Sequence, residues 1–142
     1  MREQENQILQ EEQPQRAFLV SLDTGEFDAQ ASLEELYELV RSAGAEPVAS
    51  AMQKRPAPDA AYCVGSGLLE EILETCQVQE IDLLVFDREL SPTQIRNIED
   101  KSQLRVVDRT MLILDIFAQR ARSSEGKLQV ELAQLKYLLP RL

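Results

Sequence analysis

Short apolar runs alternate with amphipathic segments of helical period as far as Val107, and there the alternation stops. Ala17-Phe-Leu-Val-Ser-Leu22 is apolar and of strand length, and Asp23, Thr24 and Gly25 close it as turn residues. Between Leu33 and Val40 the apolar residues fall at 33, 36, 37, 39 and 40, a helical stripe. Ser32 with Glu35 three residues later predicts a capping box for that helix, and Gly44 predicts its stop. Glu46 to Gln53 reads as a second strand, and Lys54 to Asp59 as a loop stiffened by two prolines. Ala61-Tyr-Cys-Val64 predicts a short strand that passes through Gly65-Ser-Gly67 into a helix over 68–75. Ile81 to Phe86 is the clearest strand, apolar and bounded by charged residues. Ser91 caps the next helix and Pro92 takes its first position, where proline loses only a donor that has no partner; the helix runs to about Lys101. Leu104 to Val107 supplies the last strand.

This order predicts an α/β fold, with a mainly parallel sheet of four to five strands flanked by helices and right-handed crossovers. Residues 110–122 are apolar nearly all round, which predicts a helix packed hard against the sheet. Asp115 interrupts it and reads as an exposed or hydrogen-bonded helix residue. Ser123 to Gly126 breaks the chain, and a last helix runs from Lys127 to Leu139 before Pro140. Leu128, Leu132, Leu135 and Leu139 recur at the spacing of a helical pair, yet four earlier helices already fill the sheet's faces. The expected layout is an acidic, disordered segment over 1–15, an α/β domain over 16–122 and a helical arm over 123–142. With no partner for its seam, the arm is expected to be detached, disordered or paired with a second copy of the chain.

Composition narrows the chemistry. The 142 residues contain no histidine, which removes the commonest general base and metal ligand, and no metal-ligand cluster stands out. Cys63 and Cys76 lie among apolar neighbours and read as small core residues. No apolar run is long enough to span a bilayer and the N-terminus lacks a signal-like pattern, so a cytoplasmic location is expected. Net charge is −10, but from Arg105 onward seven basic residues face four acidic ones, leaving the basic end as the part suited to approach a phosphate backbone.

No Gly-x-x-x-x-Gly-Lys-Ser/Thr motif occurs, so this chain is not itself expected to be an enzyme that hydrolyses nucleotide. Gly65, Ser66 and Gly67, between a strand and a helix, offer backbone N–H groups to an anion; a structural tight turn is the competing reading. Glu70 and Glu71 are expected in that helix's first turn, where they repel phosphate. Asp87-Arg-Glu-Leu-Ser-Pro92 follows the clearest strand, at the edge where α/β folds place ligands.

Three blocks carry a family resemblance: Tyr62-Cys-Val-Gly65-Ser-Gly67-Leu-Leu-Glu-Glu-Ile72, Phe86-Asp-Arg-Glu-Leu90-Ser-Pro92-Thr-Gln94-Ile-Arg96-Asn97, and Val107-Asp108-Arg109-Thr110 through to Leu142. They resemble the N-terminal region of the HflX family of ribosome-associated GTP-binding proteins. The resemblance implies an α/β domain and the first half of a two-helix arm, ending where a Gly-rich linker would begin. The second arm helix and the GTPase domain, with its GTP and Mg2+, would then lie outside this chain, which itself needs no cofactor. It further implies association with the large (50S) ribosomal subunit and a part in ribosome splitting or rescue. Candidate RNA-contacting residues are Arg96, Arg109, Arg120, Arg122, Lys127, Lys136 and Arg141. A purine nucleotide such as ATP, held by Gly65, Ser66, Gly67 and Asp87, is the alternative. The family's pattern there is Gly-Lys-Gly-Lys, and Ser66 and Leu68 replace its lysines, removing two positive charges from that site.

Overall fold

The computed structural model describes residues 13–142; most of the segment expected to be disordered lies outside them. Four strands, β1 (Arg16–Asp23), β2 (Glu46–Lys54), β3 (Leu83–Phe86) and β4 (Arg105–Asp108), form one parallel sheet in the order β2-β1-β3-β4. Four helices cover it: α1 (Ala29–Ser42), α2 (Ser66–Val78), α3 (Pro92–Ser102) and α4 (Arg109–Arg120).

The pleat sends alternate residues of β1 to opposite faces, and both are buried. Phe18, Val20 and Leu22 join Leu84 and Phe86 against Leu69, Ile72, Ile95 and Ile98 of α2 and α3. Ala17 and Leu19 join Leu83, Val85 and Val107 against Leu33, Leu36, Leu112 and Ile116 of α1 and α4. Phe86, Leu19 and Leu84 are fully buried, each contributing roughly 1.5–3 kcal/mol of transfer free energy. Strand order reverses between β1 and β3, so their carboxyl ends flank the crevice where such sheets place ligands.

Several local expectations change. Asp28, not Ser32, caps α1: its carboxylate accepts from Ala31 N–H at 3.0 Å, and the helix begins four residues before the predicted stripe. Ala29 and Leu33 then extend the buried line through Leu36 to Val40. Residues 61–64 form no strand; Asp59 and Cys63 exchange backbone bonds in a tight turn, and the sheet stays at four strands. By contrast, the start of α3 is as expected: Ser91 Oγ accepts from Gln94 N–H and the Gln94 side chain accepts from Ser91 N–H, a full capping box. Only Leu112 and Ile116 of α4 are buried, while Phe117 is 57% exposed, so that helix lies on the surface rather than enclosed by it. Asp115 is exposed and accepts from Gln119.

The arm, α5 (Ser124–Leu138), closes in a short 3-10 turn (Leu139–Arg141). Ser123 caps it by accepting from Gly126 N–H at 2.9 Å, and a Cβ on Gly126 would sit 2.9 Å from that hydroxyl, so glycine is what allows the approach. Among the described residues, no helix is long and apolar enough to cross a membrane.

Candidate functional site

The glycine turn is built from β2 and α3. After β2, the Asp59 carboxylate accepts from Ala61 and Tyr62 N–H at 2.8 and 2.9 Å, and these bonds, that from Tyr62 foremost, hold its carboxyl below the ordinary range. From α3, Gln94 donates to Asp59 O and Asn97 to Ala61 O, pinning the loop from above. Cys63 adopts φ 68°, and burial pushes its thiol up to about 11. Gly65 then caps α2 with no side-chain bond, and α2 begins at Ser66, two residues before the expected start. Glu70 and Glu71 consequently fall in its second turn, not its first.

Gly65 N–H already donates to Gln53 Oε1 at 2.8 Å, and a Cβ there would stand 3.2 Å from both Arg55 Nη1 and Gln53 Nε2. Gly65 therefore fits a packed turn beside an arginine. Ser66 and Gly67 are exposed in the first helical turn, where N–H groups lack intrahelical acceptors.

Asp87 is not brought to this turn. Its side chain, wholly buried at the end of β3, turns to the opposite face of the sheet, where Oδ1 meets Arg109 Nη1 at 2.7 Å. Arg109 opens α4, and it also meets Glu35 at 2.6 Å and Ser32 at 3.4 Å, the two residues that sequence pattern placed in a capping box. Arg88, next along the loop, has an Nη1 that is buried without a partner among the described residues, as does Asp87 Oδ2.

The neighbouring Asp108 is fully buried and caps α4 through Met111 N–H at 2.9 Å. It also accepts from Leu90 N–H at 3.0 Å and from the hydroxyl of Tyr137, near the far end of the arm. Burial, and then the bond to this carboxylate, push the Tyr137 hydroxyl well above its ordinary pKa. Arg141 stacks 3.6 Å from the Tyr137 ring centre and donates to Leu90 O and Tyr137 O. Because the start of α4 touches the end of α5, the two helices run antiparallel, and the turn between them projects from the other end.

The arm is thus folded back, neither detached nor disordered. The face that makes this contact carries Val130, Gln134, Tyr137 and Leu138, all half-buried. At 3.6 residues per turn it lies about 150° from the leucine seam, on roughly the opposite side of the helix. Leu128, Leu132, Leu135 and Leu139 stay 57, 50, 53 and 62% exposed. Among the described residues the seam therefore stays about half exposed along its length, while the opposite face of its helix is docked.

Of the candidate RNA-contacting residues, Arg109 and Arg141 are occupied by bonds within the domain. Arg96, Arg120, Arg122, Lys127 and Lys136 are exposed, and Arg120, Arg122 and Lys127 gather around the projecting turn. Sequence reasoning missed Arg55, which stands beside the glycine turn, and the Asp108–Tyr137 bond. The available signal for the latter was the second apolar line on the arm, opposite the leucines.

The parallel α/β domain and its docked arm match two consecutive regions of GTP-binding GTPases, the N-terminal and the middle region. Residues 30–118 match the family described as GTP-binding GTPase N-terminal, and residues 120–142 match GTP-binding GTPase Middle Region, the boundary falling at the end of α4. GTPase HflX of Caldanaerobacter subterraneus subsp. tengcongensis is 50% identical over 128 residues, which are 90% of this chain and 30% of that protein. GTPase HflX of Escherichia coli (strain K12) is 52% identical over 110 residues, 78% of this chain and 26% of that protein. The solved complex of SsGBP with GDP aligns with a TM-score of 0.72 at 29% identity, covering 90% of this chain and 36% of the other. A GTP-binding protein of the archaeon Sulfolobus solfataricus in complex with GDP aligns at 0.66 and 30% identity, covering 89% and 38%. The chain belongs to the HflX family of GTPases, as its N-terminal and middle region, and spans less than a third of the length of these curated relatives.

Proposed function

We propose that this chain is the ribosome-docking module of an HflX-type GTPase, acting in the cytoplasm on the large ribosomal subunit and serving its splitting or rescue. The observation that supports this reading most is the arm. It presents exposed Arg120, Arg122 and Lys127 at its turn, suited to phosphate, and carries a leucine seam suited to a second helix. In the whole protein that second arm helix pairs with the seam in cis, and the GTPase domain, with its GTP and Mg2+, is regulated through it. The chain itself binds rather than catalyses.

Co-sedimentation of this chain with purified large subunits tests the binding, measured as a function of salt. Replacing Arg120, Arg122 and Lys127 by Ala is expected to weaken binding and to flatten its salt dependence, because each lost phosphate contact removes a released counterion. Equal affinity and an unchanged salt slope would count against the arm as the docking element.

A second reading, a purine nucleotide at the glycine turn, is favoured by the exposed Ser66 and Gly67 N–H groups with Arg55 alongside. Titration calorimetry of the chain with ATP and GTP decides it, since no heat at millimolar nucleotide removes it.

A further inference from the structure

Leu90 lies in the loop that leaves β3 at the carboxyl edge of the sheet, and both of its backbone groups are held by distant parts of the chain. Its N–H donates to Asp108, the cap of α4, at 3.0 Å; its carbonyl accepts from Arg141, beyond the arm helix, at 3.1 and 3.2 Å. Asp108 is shared, for the same carboxylate also accepts from Met111 N–H and from the Tyr137 hydroxyl. Arg141 is shared as well, reaching Glu89 at 3.4 Å and Tyr137 O at 2.8 Å. At its other end the loop is tied by Asp87 to Arg109, the residue after Asp108. One four-residue loop, one helix start and the end of the arm therefore share a single hydrogen-bonded cluster that is mostly closed to water.

We infer that Tyr137 and Arg141 are positioning residues, and that the loop Asp87–Leu90 steers the arm: a shift of this loop changes the direction in which the arm leaves the α/β domain. The cluster supplies the needed geometry, because the loop cannot move without withdrawing Leu90 N–H from Asp108 or Leu90 O from Arg141. A buried carboxylate that loses a donor is costly, so Asp108 couples the two movements. The loop also holds Arg88 Nη1 and Asp87 Oδ2, buried without partners among the described residues, at the edge where sheets of this order receive ligands. This coupling of loop and arm is independent of ribosome or nucleotide binding.

Amide hydrogen exchange on the 142-residue chain tests it, with β1 and β3 as internal references for global stability. Tyr137→Phe removes one hydrogen bond to a charged group and is expected to speed exchange in the last two turns of α5 by roughly tenfold to a hundredfold, the core strands being unchanged. Asp87→Asn weakens the loop's tie to Arg109 without touching the arm. It is expected to speed exchange at residues 87–91 and, through the cluster, in α5 by at least about threefold. The reverse direction is read in Arg141→Met, which is expected to loosen the amides of Leu90 and Ser91. If Asp87→Asn frees the loop while α5 keeps its protection, or if it changes neither, the coupling is refuted. Should Asp87→Asn destabilise the whole domain, Arg141→Met decides: protected amides at 90 and 91 overturn the inference, and loosened ones support it.

Discussion

Replacing Leu132 and Leu135 by Gln probes whether the seam is vacant in this chain. In the folded arm they are 50 and 53% exposed, so each keeps about half of its surface in water. Complete burial of a leucine contributes roughly 1.5–3 kcal/mol, so half-burial contributes about 0.8–1.5 kcal/mol at each site, and the glutamine stem recovers part of that. Helix propensities of Leu and Gln are nearly equal and add no correction. With two such sites replaced, the double variant is therefore expected to cost about 1–2 kcal/mol in urea unfolding, with an unchanged slope. Leu112→Ala, at a site 5% exposed beneath α4, is expected to cost roughly 2–5 kcal/mol in the same assay. In a longer chain containing the second arm helix, the Gln pair meets an apolar surface, and the loss is expected to rise to several kcal/mol. A loss of about 3 kcal/mol or more in the 142-residue chain would mean that the seam is packed at home. An equally small loss in the longer chain would mean that nothing covers it there.

Other outcomes follow from the same contacts. Asp28→Ala removes the true cap of α1 and should lower stability by about 0.5–2 kcal/mol, whereas Ser32→Ala, which loses only one side-chain bond of 3.4 Å from Arg109, should cost less; urea midpoints compare them. Burial raises both Cys63 and Cys76 from 9.0 to about 11, so their contribution to stability is complete below pH 9 and is lost as pH rises toward 11. The Cys63→Ala/Cys76→Ala variant should accordingly show a shallower fall in stability between pH 9 and 11 than the parent. In the native parent at pH 8, a thiol reagent should react slowly, and rapidly only after denaturation.

The sheet was legible because it is written in local terms. Strands buried on both faces read as continuous apolar runs, and Ser91-Pro92 with Gln94 contains a whole helix start in four residues. Ser32 and Glu35 misled because the capping-box pattern is local while their actual partner, Arg109, is more than seventy residues away. The true cap, Asp28, was discernible only if Ala29 counted as a member of the buried stripe. The arm shows the same limit from the other side. Its leucines announced one apolar face, but Tyr137 and Leu138 form a second, and only the position of Asp108 reveals which face the domain takes. Equally, charge alone could not separate Arg109 and Arg141, bound within the domain, from Arg120 and Arg122, which face solvent.

The role proposed for this module is to bring its GTPase to the ribosome. The direct measurement is the affinity of the full-length protein for purified large ribosomal subunits, compared with a version lacking the module, at one fixed salt concentration and with the same guanine nucleotide bound. Removal of residues 1–142 is expected to weaken binding by at least about tenfold, roughly 1.4 kcal/mol. Equal affinity with and without them would contradict it.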